Sequence, residues 1–302
     1  MYSLANEPQG IGRILDAGFR LFKSGLKGAL GIMLIMIGSG IVLGIVMSLM
    51  MGGVAAMVMG GGGAPGQMPQ FGVGSVVMMI LFIIAGALFF TYFSNALILN
   101  YANIAYQRNA GIGNALAGAF SRLLPAFGAV VLMAIFLIGL IIPSTTYEFM
   151  KMQDIVSGQT SMVTVQLVSL VLKIPYYFFA VTLVFTIYRA VIDNYGAFSS
   201  VTGSHKLVWG KFWRTTLWLL IVYVIVLVLF LAIFIPTFGS AFMFGHGGNP
   251  NASASAIIFG VLGMIVLMMF SMPFVVAMTI PYYHDLKLRK EGGDLSSRIT
   301  AA

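Results

Sequence analysis

Six runs of around 20 apolar residues, at 29–51, 73–99, 123–143, 174–192, 215–236 and 256–280, divide this chain. A helix of that length crosses the roughly 30 Å hydrocarbon core of a bilayer. Helices satisfy their own backbone polar groups, as anything spanning that core must. The pattern predicts an all-α polytopic membrane protein with six transmembrane helices. Composition agrees: 60% of residues are hydrophobic and only 8% are charged, against about 25% charged in a soluble domain. Too few charges remain to coat a water-facing surface. The third run has an open outer boundary, because Pro143 to Thr146 either extend or end it. The first run reads as a span and not as a cleaved leader, since about 28 residues precede it and no small-residue cleavage site follows closely.

Direction follows from the connections. Fourteen of the sixteen Lys and Arg fall before the first run, after the second and fourth, or in the tail, and only Lys151 and Lys173 lie on the opposite side. By the positive-inside rule both termini face the cytoplasm of a plasma or inner membrane. The outward connections at 60–72 and 244–255 are Gly-, Pro- and Ser-rich, as flexible connectors are. Residues 163–174 either extend the fourth span or form an interfacial helix, and Lys173 beside Pro175 favours a break there.

The whole chain, 1–302, forms one transmembrane domain with a repeat-like plan in units of about 10–110, 111–195 and 196–295. "GIGRILDAGF" (10–19) aligns without a gap on "GIGNALAGAF" (111–120), and "SSVTGSHKLVWGKFWR" (199–214) aligns more loosely on residues 13–28. Each unit would be an amphipathic cytoplasmic helix, a span outward and a span back. In the first, Ile11, Ile14, Leu15, Phe19, Phe22 and Leu26 recur at three- and four-residue steps. Asp16, Arg20, Lys23 and Lys27 lie along another face by the same spacing, and Arg13 adds a further basic contact residue. Such a helix rests its basic side on anionic headgroups. The third segment carries Lys206, Trp209, Lys211, Trp213 and Arg214, with Trp218 just beyond. Tryptophan favours the membrane interface, which places all three there.

The stretches "ILDAGFRLFKSGLKGAL" (14–30), "GAFSSVTGSHKLVWGKFWRTTLWLL" (196–220) and "IPYYHDLKLRKEGGDL" (280–295) resemble a family of bacterial membrane proteins. That family includes the membrane domain of glycerophosphodiester phosphodiesterases and YciC-like inner-membrane proteins. The residues carrying the resemblance are Ser204, Leu207, Gly210, Trp213 and Arg214, then Tyr282, Tyr283, Asp285, Leu286, Arg289, Glu291, Gly292, Asp294 and Leu295, with His284 a departure from the tail pattern. The resemblance implies a polytopic helical membrane domain and assigns no chemistry to it. Catalysis in the hydrolytic members belongs to a separate soluble barrel.

Residue chemistry points away from an enzyme. With no cysteine there is no disulfide, zinc–thiolate site or thiol nucleophile. The three histidines fall on different connections, and Glu148 and Asp154 read as a solvated loop. No Gly-rich stretch has the Gly-Lys-Ser/Thr ending of a phosphate loop. Methionine is abundant, but nothing alternates it with histidine as a copper site would, so no metal or cofactor is expected. Basic residues scattered between spans exclude a nucleic-acid patch. The spans carry no charge beyond the edge residues Lys173 and Arg189, which argues against an ion-coupled carrier. The expected role is a non-catalytic membrane protein that organises lipid or a protein partner. The alternative is a small transporter or permease for an apolar or amphipathic solute, using Thr91, Ser94, Asn95, Thr182 or Thr186. Gly40 and Gly44 would permit close packing of the first span.

The tail "YYHDLKLRKEGGDLSSRI" (282–299) reads as a helical continuation of the sixth span. Tyr282 and Tyr283 would mark the interface, and Lys287, Arg289 and Lys290 would meet headgroups. Asp285 and Arg289 pair at i, i+4, and Gly292-Gly293 stop the helix. Single cysteines test the topology: an impermeant thiol reagent applied to intact cells should label positions 65 and 249 and leave 108 and 290 unlabelled.

Overall fold

The computed structural model describes residues 4–60, 73–245 and 250–301, and among these all regular structure is helical. The helices are α1 (Ile11–Gly60), α2 (Val73–Ala105), α3 (Ile112–Ser121), α4 (Leu123–Val156), α5 (Met162–Leu172), α6 (Ile174–Thr182), α7 (Thr186–Ile192), α8 (Ala197–Val208), α9 (Phe212–Gly245) and α10 (Pro250–Ala301). Six helical segments are long and apolar enough to cross a membrane: Ile11–Leu49, Val76–Ala105, Leu123–Val156, Ile174–Ile192, Ala197–Ala232 and Leu262–Lys290. The chain is a polytopic helical protein of six candidate spans.

Helix lengths decide where its core sits. At 1.5 Å per residue, α1 with 50 residues and α10 with 52 are each more than twice as long as a bilayer core is thick. The excess lies at the end where the basic residues gather, and there the helices bury each other. Buried apolar residues run from Ile14 to Met36 in α1, Phe93 to Ala105 in α2, Leu183 to Ile192, Leu207 to Val222, and Phe274 to Leu286 in α10. Beyond them the same helices expose apolar side chains, such as Ile41 and Leu49, Ile80 and Ile83, Val224 and Val228, Leu262 and Met264. Lipid is the solvent that suits such a surface.

Close approach at the basic end depends on glycine. A Cβ on Gly18 would overlap Met278, one on Gly25 would overlap the Tyr101 ring, and one on Gly28 would overlap the Asn100 amide. Asn100 Nδ2 then donates to the Gly25 carbonyl at 3.2 Å. The expected Gly40–Gly44 pair contributes little: Gly40 faces the edge of Phe89 and Gly44 faces open space.

The three amphipathic segments share a burial phase. Helix α1 begins at Ile11 and α3 at Ile112, the aligned positions. Buried Ile14 and Gly18 match Ala115 and Ala119, and also Ser200 and Ser204 of α8. Helix α3 packs on α2, α8 on α4, α7 and α6, and α1 on α10. The first helix thus closes on the last.

Several local expectations change. Helix α4 runs through Pro143 to Val156, so Glu148 and Asp154 lie on helix instead of loop. Residues 162–172 form the separate helix α5, and the break at Lys173 ahead of Pro175 is the one the sequence favours. Helix α10 continues past Gly292 to Ala301, so the glycine pair does not stop it. The connectors at 60–72 and 244–255 shrink to 61–72 and 246–249, which lie outside the described residues.

The fourth candidate span is broken between α6 and α7, and Ser204 of α8 fills the break. Its hydroxyl donates to the Thr182 carbonyl at 2.8 Å and accepts the Phe185 N–H at 3.2 Å. Both backbone groups lie at the break. Removing the hydroxyl should cost about 1–3 kcal/mol, the penalty for stranding buried polar groups. Ser204→Ala should therefore lower the unfolding midpoint in detergent. Thr202→Ala, which loses only a hydroxyl bond to Phe198 within α8, should stay within about 0.5 kcal/mol of the parent.

Candidate functional site

The polar chemistry of the described residues concentrates at the basic end, around one aspartate. Asp285 on α10 is 3% exposed. Its Oδ2 accepts from Arg289 Nε at 2.8 Å, one turn further on, and from Arg214 Nη2 of α9 at 3.1 Å. Its Oδ1 accepts the backbone N–H of Gln9 at 2.6 Å. The carbonyl of Gln9 in turn accepts from Arg214 at 2.7 Å and Arg289 at 2.8 Å. One carboxylate and two guanidiniums thereby hold both backbone groups of one residue, and they clamp the segment before α1 across α9 and α10. His284 Nε2 lies 3.1 Å from the Ala5 carbonyl and extends the same attachment.

A second acidic centre sits beside it. Asp193, just past α7, accepts from Lys287 Nζ at 3.0 Å and from the Tyr283 hydroxyl. Arg189 stacks over the Tyr195 ring at 4.5 Å, with Gly203 tight against its guanidinium. Arg122 donates to the Val191 carbonyl, and burial, then the Arg108 charge, push its pKa down. At the other end of α4, Glu148 pairs with Lys173 at 2.7 Å and accepts from Ser169, while Asp154 pairs with Lys151 at 2.7 Å.

This geometry divides the twelve residues expected to contact lipid or a partner. Arg214, Lys287 and Arg289 are tied to carboxylates and hold the fold together. Arg20, Lys23, Lys27, Lys206 and Lys211 are exposed and make no ion pair among the described residues. Arg13 is exposed with a 3.4 Å bond to Gln9 Oε1, and Lys290 is exposed. Trp209 and Trp213 are 59% and 81% exposed. Trp218 departs from its expected interfacial place: it is fully buried and stacks on Tyr282 with ring centroids 4.9 Å apart. Tyr282 and Tyr283 are equally buried, so they line the core instead of marking an interface. Their hydroxyls reach Thr215 and Asp193, which lets the phenols sit inside.

Beside the clamp lies a cavity of about 230 Å³ between residues 4–9, α1 and α10, lined in part by Glu7, Arg13, Asp16, Arg20 and His284. Among the described residues no group of three or more His, Asp or Glu could hold a metal ion. Comparison with protein-family models, with curated proteins and with solved structures returned no match.

Breaking a buried, doubly paired carboxylate costs about 3–5 kcal/mol, because the partner charges stay behind unpaired. Asp285→Asn should destabilise the protein by that order. It should also speed amide hydrogen exchange over residues 4–10 in the folded state, an effect Lys290→Gln should not produce.

Proposed function

We propose that this is a non-catalytic integral membrane protein of a bacterial inner membrane, with both termini cytoplasmic, that organises lipid or a protein partner at its basic end. One observation carries the reading. The basic residues at that end divide into those consumed by internal carboxylates and those left facing outward, and the outward set is accompanied by Trp209 and Trp213. Unpaired cations beside exposed indoles suit an anionic headgroup layer. The fourteen-to-two division of Lys and Arg supports the orientation. The likeness of 14–30, 196–220 and 280–295 to bacterial membrane proteins, and the shared burial phase of the amphipathic segments, support a three-unit membrane domain.

The rival reading, a carrier for an apolar or amphipathic solute, rests on α2. Asn95 is fully buried with neither amide atom hydrogen-bonded, and Thr186 of α7 has a buried hydroxyl without a partner. Buried polar groups of that kind call for an explanation. Broken helices form substrate sites in many transporters by offering free backbone groups. Here Ser204 occupies backbone groups on both sides of the α6–α7 break. That leaves the lipid reading ahead.

Each cation near an anionic surface contributes about 1 kcal/mol. Lys23→Gln with Lys27→Gln should then weaken the preference for phosphatidylglycerol over phosphatidylcholine in nanodiscs by roughly thirtyfold. Quenching of the tryptophan fluorescence by brominated lipid reads this directly. An unchanged preference would count against the reading, and measurable hydrolysis of a glycerophosphodiester would overturn its non-catalytic part.

A further inference from the structure

Six carboxylate side chains fall among the residues whose side chains are described, and four of them are ion-paired: Glu148, Asp154, Asp193 and Asp285. The other two, Glu7 and Asp16, both line the cavity of about 230 Å³ beside the Gln9 clamp. Arg13 and Arg20 line it too, and neither is in an ion pair. A chain this poor in charge has set two carboxylates and two guanidiniums around one space without joining them to each other.

Spacing on α1 explains how both signs reach it. Arg13, Asp16 and Arg20 stand three and four residues apart, which puts them on one face of the helix. The clamp on Gln9 holds the preceding segment, and so Glu7, against the same space. The opening is therefore as fixed as the Asp285 network that builds it.

A ligand that satisfies such walls carries both charges. Guanidinium forks suit the oxygens of a phosphate. Carboxylates suit a primary ammonium, whose N–H groups they accept, and a quaternary ammonium offers none. A cavity of about 230 Å³ has room for a group the size of phosphoethanolamine. We infer that this cavity binds a phosphoethanolamine group, a phosphate joined by two carbons to a primary ammonium. The group comes either from phosphatidylethanolamine in the membrane or from a soluble phosphoethanolamine. The site deepens the headgroup-binding reading and rests on it, since it draws Arg13 and Arg20 from the exposed cationic set, while Lys23 and Lys27 do not line it.

The test uses the full-length protein in detergent and in nanodiscs. Titration calorimetry with soluble phosphoethanolamine and phosphocholine addresses one source. Native mass spectrometry of nanodiscs holding phosphatidylethanolamine or phosphatidylcholine addresses the other. In at least one format the wild type should favour the primary ammonium by about tenfold, the loss expected when charge-assisted hydrogen bonds cannot form. Glu7→Gln with Asp16→Asn should erase that preference and keep the phosphate-dependent binding. Arg13→Gln with Arg20→Gln should abolish binding of both headgroups. An unchanged unfolding midpoint in each double variant certifies that the fold is intact. Preference in nanodiscs alone assigns the lipid as the source, and preference in solution assigns the free metabolite. Equal binding of the two headgroups in both formats, or a preference that survives Glu7→Gln with Asp16→Asn, overturns the site. Neither outcome touches the anionic-lipid test on Lys23 and Lys27.

Discussion

A fifty-residue helix cannot be hidden in thirty ångströms of hydrocarbon. Because α1 and α10 overrun any bilayer, the portion outside it must find shelter in protein, and the fold follows from that need. The overhanging ends bury Ile14, Leu21, Met278 and Tyr282 against one another. The acids there, Asp285 and Asp193, are paired with basic side chains of α9 and α10. In the lipid-facing halves the hydrophobic effect gives helices no reason to associate, and there the described helices expose their apolar side chains.

The same need accounts for the order of packing. An amphipathic segment attached to one hairpin covers its apolar face on the helix that returned just before it. The first segment has no predecessor in sequence, and α10 supplies its partner. The Gln9–Asp285 clamp joins the two ends of that cycle.

Much of this was legible beforehand, and the rest had physical reasons for being hidden. Apolar runs and their lengths gave the six candidate spans, and the i, i+4 spacing gave the Asp285–Arg289 pair. What composition could not reveal is whether an amphipathic aromatic faces lipid or core. Trp218 and Trp213 have the same chemistry and lie five residues apart, yet one is stacked on Tyr282 and the other is open. Helical phase separates them only once the position of α10 is known. Arg214 hid for a similar reason, because its partners are a carboxylate 71 residues away and a backbone carbonyl 205 residues away. The minority charge was the usable signal. In segments crowded with Lys and Arg, Asp193 and Asp285 are the acids around which the structure is organised.

The clamp also imposes an order on biogenesis. Gln9 and Asp285 are separated by 276 positions, so a ribosome adding about 5–20 residues per second finishes the second roughly a quarter-minute to a minute after the first. Throughout that interval the nascent amino terminus has no partner for its backbone at Gln9, and the apolar face of the first helix has no α10 to cover it. The membrane surface is the obvious place for that face to wait. Closure therefore belongs to the end of synthesis, and a chain truncated before its last helix would leave the earliest segment permanently undocked.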